Sequence, residues 1–207
     1  FEDELIERRA MFHWQVSYNN EYLVTGRTIE DLLQFLKHLS DALGFARVTI
    51  IVQNLRYDNM FLCQALYEQF GDLKYFMLAS RKVQSFECAN LRFVDTAVMS
   101  GMSLERMSED YDLYYKKAAG DFDYNKLFSV TDPLDRTEFG YCVLDVFALV
   151  DYWHTVQKLR GYTTAQMPIT KTSFIRKPLR SEMMHGYIRN GKKYADWIRT
   201  IQNDYET

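Results

Sequence analysis

The stretch TIIVQNLRYDNMFLCQAL, residues 49–66, decides how the rest of the chain is read. It opens within RVTIIVQ (47–53), an apolar, β-branched run between polar residues. That is the pattern of a strand covered on both faces. Gln53 and Asn54 end the run, and from Asp58 an amphipathic, helical pattern continues to Phe70, where Gly71 stops it. A buried strand that gives way to a helix through an amide and a carboxylate is where α/β folds place ligands, outside the carboxyl end of the strand. The same two residue types also serve as plain turn and cap residues. Taken alone, the pair leaves both readings open.

Upstream, AMFHWQVSYNNEYLVTG (10–26) predicts two strands joined at Asn19-Asn20, both tolerant of the positive φ of a tight hairpin. Thr28 is placed to cap a helix carrying Ile29, Leu32, Leu33, Leu36, Leu39 and Leu43 at helical spacing, ended by Gly44. Downstream, residues 73–95 divide into three short strands, LKYFMLAS, VQSFEC and LRFVD, and Ser103 caps a short helix. A turn-rich segment leads to RTEFGYCVLDVFALVDYWHTVQKL (136–159), a helix hydrophobic nearly all round and therefore largely buried. The order predicts an α/β (α+β) domain of layers with the 47–53 strand at its centre.

Composition narrows the function classes. The 207 residues are 47 % hydrophobic, enough for one sizeable core, and 15 Tyr with 14 Phe make that core ring-rich. Cys63, Cys88 and Cys142 form no C-x-x-C pair and leave an odd thiol, which speaks against a disulfide frame or a zinc knuckle. No run of about 18 apolar residues is present to span a membrane. The four histidines are scattered, and Cys142 reads as a core thiol. Trp14, Trp153 and Trp197 read as core or interface anchors. Charge is uneven: residues 1–157 hold 15 basic and 24 acidic side chains, net −9, whereas 158–207 hold 10 and 4, net +6. A basic tail behind an acidic body suits either a nucleic-acid-facing surface or a solvated face. The start at Phe1, without Met, points to sequence upstream of it.

A second carboxylate sits on the long helix. Tyr141 and Asp145 are four residues apart, so both project from one face. A carboxylate among apolar neighbours is costly to bury, by roughly several kcal/mol, unless it finds a cation or donors. No Lys or Arg is evident on its face. A divalent metal would satisfy it, and so would a backbone amide or a polar stripe shared with Asp151.

At this point the residues carry a resemblance. NLRYD (54–58) fits N-x-x-[FY]-D and YCVLD (141–145) fits Y-x-x-x-D, in that order and 87 residues apart from Asp58 to Asp145. With LRFVDTAVMSGMSLERMSEDYDL and AGDFDYNKL between them, the chain resembles the 3′–5′ exonuclease domain of family B DNA polymerases, in the protein-primed branch of phages and linear plasmids. The resemblance covers about residues 10–165. It implies a ribonuclease-H-like fold, a central mixed sheet flanked by helices, and four carboxylates holding two Mg²⁺ or Mn²⁺ ions ~3.5–4 Å apart. Hard oxygen donors suit those ions. By resemblance, Asp58 and Asp145 are metal ligands, Tyr141 aligns the attacking water, and Asn54, Tyr57, Thr96 and Tyr124 hold the single-stranded 3′ end.

The match has gaps. The D-x-E motif that the family carries on a strand shortly before the MFHWQV position is not found; Glu2-x-Glu4 is acidic at both places, and the motif is expected upstream of Phe1. Where this branch carries a catalytic lysine the chain has Ala118-Ala119, with Lys116 and Lys117 just earlier, neither assigned. The family's polymerase motifs are absent. MPITKTSFIRKPLR resembles a linker towards a polymerase domain, so the expected division is an exonuclease-like domain, 1–165, and a basic helical extension, 166–207. The implied partners are a single-stranded 3′ end, primer-template DNA and a terminal priming protein, in the host cytoplasm for a phage or in cytoplasm or mitochondrion for a plasmid. The competing expectation is a degenerate module of the same fold that binds nucleic acid or a protein. An unrelated α/β domain is the third.

Overall fold

A computed structural model of the chain describes residues 11–79, 82–117, 123, 126, 128–177 and 179–180. Strands β1 (Trp14–Tyr18) and β2 (Tyr22–Gly26) form the expected antiparallel hairpin, with Asn19 and Asn20 at φ 54° and 57°. Gly26 lies opposite Trp14 in the register, and a methyl group there would collide with the indole ring. Its bareness lets Trp14 pack flat and donate from Nε1 to the Thr28 carbonyl at 2.9 Å. Thr28 in turn caps α1 (Ile29–Leu43), its hydroxyl accepting from the Asp31 amide at 3.1 Å.

The next strand, β3 (Val48–Val52), leads into α2 (Leu55–Phe70). Strands β4 (Lys74–Ala79), β5 (Lys82–Cys88) and β6 (Leu91–Asp95) complete a four-stranded mixed sheet in the order β3-β6-β5-β4. The β3–β6 pair is parallel and the other two are antiparallel. Helix α3 (Thr96–Ser100) follows, then α4 (Leu104–Asp110), capped by Ser103 as expected. Helix α5 (Arg136–Arg160) begins in a capping box made by Asp135 and Glu138.

Two cores result. One joins α1 and α2 to the sheet through Leu32, Leu36, Leu55, Leu66, Phe86 and Phe93. Leu55 and Leu66 are fully buried, each gaining on the order of ~2 kcal/mol by leaving water. The other gathers Met99, Met107, Ala148, Tyr152 and Trp153 around α5, against Ile51 of β3. The anchoring roles expected of Trp14 and Trp153 hold, both being buried; Trp197 lies outside the described residues.

Three local expectations are corrected. β3 stands at the edge of the four-stranded sheet instead of at its centre and is half-buried along its whole length, β6 being its one ladder partner among the described residues. Helix α2 starts three residues before Asp58, and its N-cap, Asn54, adopts a left-handed conformation that side-chain capping rules do not reveal. Where one short helix is expected after Asp95, with its cap at Ser103, there are two: α3, which Asp95 starts by capping, precedes α4.

The hairpin and the main sheet do not share a ladder. Yet Val16 packs in the same core as Val48, Ile50 and Val52. On the other face Gln15 Nε2 donates to the Cys142 carbonyl of α5, and Ile51 meets the α5 core. β1 and β3 are therefore clad by the same helices while, among the described residues, each keeps one unpaired edge.

Candidate functional site

β3 and β6 run parallel and end together, Val52 opposite Asp95, so the residues that follow them converge. Asp95 is 1 % exposed. Its Oδ1 accepts from the amides of Asn54 at 3.2 Å, Ala97 at 2.8 Å and Val98 at 3.3 Å, tying the start of α2 to the start of α3. Beside it the Thr96 hydroxyl lies 3.0 Å from the Val52 carbonyl and 2.6 Å from Gln53 Oε1. Gln53 Nε2 donates to the Met102 carbonyl at 3.2 Å. This polar knot fixes the β3–α2 turn from below.

On that base stand three of the anticipated residues. Asn54 sits at φ 63°, ψ 50°, exposed, with its side chain not spent on capping. Such a conformation costs ~1 kcal/mol or more for a non-glycine residue and is held by its surroundings. Tyr57 is 47 % exposed, its ring edge-on to Phe61 at 5.3 Å. Asp58, in the first turn of α2, is half-buried; burial pushes its pKa up to about 6, and the charge of Asp95 adds to the rise. Asp95 is itself raised by burial, against the pull of the amides it accepts from.

Thr96 departs from expectation. It is fully buried and its hydroxyl is turned into the knot, so it supports the turn from inside and is not a surface contact for a strand of DNA. Tyr124 lies outside the described residues, as do Glu2 and Glu4.

Asp145 occupies the middle of α5, with Tyr141 buried one turn earlier. Its Oδ1 is buried without a hydrogen-bond partner, and burial raises its pKa. Backbone amides are bound by Asp151 and not by this Asp145 oxygen: Asp151 Oδ2 accepts from the amides of Tyr114 and Tyr115 at 2.7 and 3.3 Å. A lysine charge from outside the helix acts on Asp145. The charge of Lys117 partly offsets its rise, whereas Lys116 is engaged with Asp112 at 3.5 Å.

The charged neighbour that acts on Asp58 is Asp95, and the one that acts on Asp145 is Lys117. Among the described residues no three His, Cys, Asp or Glu side chains gather closely enough to hold a metal ion. Asp58 and Asp145 each stand half-buried without an ion pair among the described residues, Asp145 with an orphaned oxygen, and hard oxygen donors of this kind suit Mg²⁺ or Mn²⁺. Asp95 and Gln53 are the structural members that sequence reading left without a role; the signal was a strand ending in Asp directly before a helical turn.

No family model matches the sequence, and no curated protein does. Solved structures do. A ternary complex of Phi29 DNA polymerase with primer-template DNA and incoming nucleotides superposes with TM-score 0.68 at 11 % identity, over 83 % of this chain and 31 % of that one. A Phi29 DNA polymerase complex with single-stranded DNA gives 0.67 at 12 %, over 83 % and 32 %. An orthorhombic crystal form of the same polymerase gives 0.70 at 12 %, over 86 % and 32 %. The chain thus spans about a third of the length of the polymerases it matches. Its mixed sheet, flanked by helices in an RNase H-like arrangement, is a fold it shares with Phi29 DNA polymerase.

Proposed function

We propose that the chain is the 3′–5′ exonuclease, proofreading portion of a protein-primed family B DNA polymerase, hydrolysing phosphodiester bonds at single-stranded 3′ ends. One observation carries this reading. Asn54, Tyr57 and Asp58 are presented together at the ends of two parallel strands, on a fold shared with a polymerase solved with single-stranded DNA. Terminal protein, primer-template DNA and a following polymerase portion belong to the same proposal, as does a cytoplasmic or mitochondrial setting. No described helix is long and apolar enough to cross a membrane.

Asp58 and Asp145 would hold Mg²⁺ or Mn²⁺, the orphaned Oδ1 of Asp145 finding its partner there. Bound divalent ions supply charge to the scissile phosphate and lower the pKa of water. Tyr141, one helical turn from Asp145, orients the attacking water through its hydroxyl. The free carboxamide of Asn54 offers a donor and an acceptor to the terminal nucleotide. The half-exposed ring of Tyr57 gives the last base or sugar a surface to stack on. Thr96 acts indirectly, by holding Gln53 beneath the turn.

The test uses the chain, Mg²⁺ and a labelled single-stranded oligonucleotide. The expected result is shortening from the 3′ end. Asp58→Ala and Asp145→Ala each slow it by about 10³-fold or more, since a lost ligand removes charge stabilisation at the phosphate. Digestion at the parent rate by both variants overturns the assignment. A second reading, a catalytically degenerate module that binds nucleic acid or a protein partner, is favoured by the lack of a three-ligand cluster among the described residues. It predicts oligonucleotide binding without cleavage.

A further inference from the structure

The β3–α2 turn has an unusual construction. Helix α2 is not capped by its own N-cap side chain; Asn54 leaves that side chain exposed and takes a left-handed backbone conformation. What restrains it comes from another strand. Asp95, opposite Val52 across the parallel ladder, receives the Asn54 amide, and the same oxygen receives the first amides of α3. A carboxylate 1 % exposed and fed by amides of two helices is fixed in place by them. Capping α3 accounts for the bonds to Ala97 and Val98. It does not account for the bond to Asn54, which crosses between elements 41 residues apart in the chain.

We infer that Asp95 is a positioning residue: through the Asn54 amide it locks the left-handed turn that presents the Asn54 side chain, the Tyr57 ring and the Asp58 carboxylate together. Gln53 and Thr96 brace the same turn, their side chains bonded to each other at 2.6 Å and Gln53 tied onward to Met102. Asp95 touches neither DNA nor metal in this role. It is buried, and its work is to keep the exposed carboxamide of Asn54 aimed outward. This inference rests on the nuclease reading for its functional consequence, but not for the geometry.

Substituting Asp95 separates the two. Asp95→Asn keeps an oxygen to accept the Asn54 amide; Asp95→Ala removes it. The first readout is the Asn54 backbone φ in the folded, metal-free chain, from NMR couplings and chemical shifts. It stays positive in the parent and in Asp95→Asn and leaves the left-handed region in Asp95→Ala. The second readout is cleavage of a single-stranded oligonucleotide in Mg²⁺, well below each variant's unfolding temperature. Asp95→Ala raises KM about tenfold with a smaller loss of kcat, and Asp95→Asn returns KM to within about threefold of the parent. Should Asp95→Ala fail to fold, Gln53→Leu loosens the turn from its other side and gives the same KM-weighted loss. A left-handed Asn54 that persists in Asp95→Ala overturns the inference whatever the cleavage result. A parent that never cleaves overturns the nuclease reading and leaves the first readout to judge Asp95. An equal loss of kcat in Asp95→Ala and Asp95→Asn, with KM unmoved, overturns positioning in favour of a charge effect.

Discussion

Asp58 and Asp145 are both carboxylates raised by burial, and they are placed by opposite means. Asp58 rides on a turn whose polar groups are paired from below, beside a like charge in Asp95. Asp145 is mounted on an apolar helix with one oxygen unpartnered, and the charge that reaches it, from Lys117, is of opposite sign. The first carboxylate is held by geometry; the second is raised by burial, and a lysine charge offsets part of that rise. Geometry of the first kind is costly to assemble but defines direction. A compensating charge of the second kind acts at longer range and defines little.

Three measurements break or sharpen this contrast. Asp145→Leu, in metal-free buffer at pH 8, raises stability by about 2 kcal/mol in urea unfolding, because it removes an orphaned polar atom from an apolar face. Loss of stability instead would mean that Asp145 has a partner in the folded chain. Asp58→Asn gives about 1–2 kcal/mol, and its effect depends on pH. With the folded pKa near 6 and the ordinary value 3.8, the parent keeps its full stability from this group below pH 3.8 and loses it as the pH rises through 6. The variant is therefore level with the parent near pH 4 and ahead of it above pH 6. The full shift corresponds to ~3 kcal/mol, which solvent around a half-buried group reduces. On the proposed metal-binding role of Asp58, added Mg²⁺ narrows the gap by stabilising the parent. Smallest is Lys117→Gln, which raises the Asp145 pKa further in a carboxyl ¹³C titration and leaves that of Asp58 in place. If Asp58 shifts as well, the lysine charge reaches both carboxylates, and the contrast fails.

Much of the frame was legible before any coordinates. Asn19-Asn20 demanded positive φ, Thr28 and Ser103 offered hydroxyls where helices begin, and Gly71 ended α2. These are local signals, decided by a residue and its chain neighbours. The parts that were not legible depend on groups far apart in the chain. The start of α2 depends on Asp95, 41 residues on. Thr96 reads equally well as a surface hydroxyl or a buried one, and Gln53 decides between them. The lysine charge that acts on Asp145 comes from a segment ahead of α5, invisible to a helical projection of 136–159. The half-burial of β3 follows from which strands flank it, and no periodicity in Val48–Val52 reports that.

That margin of β3 also bears on how the protein must be handled. Among the described residues one margin of β3, and one of β1, has no ladder partner, and a margin of that kind beside β-branched side chains is a template on which another extended segment can zip. Concentrating the chain by itself therefore invites copies to stitch onto one another. A complementary peptide strand supplied in excess should keep it monomeric and soluble for longer.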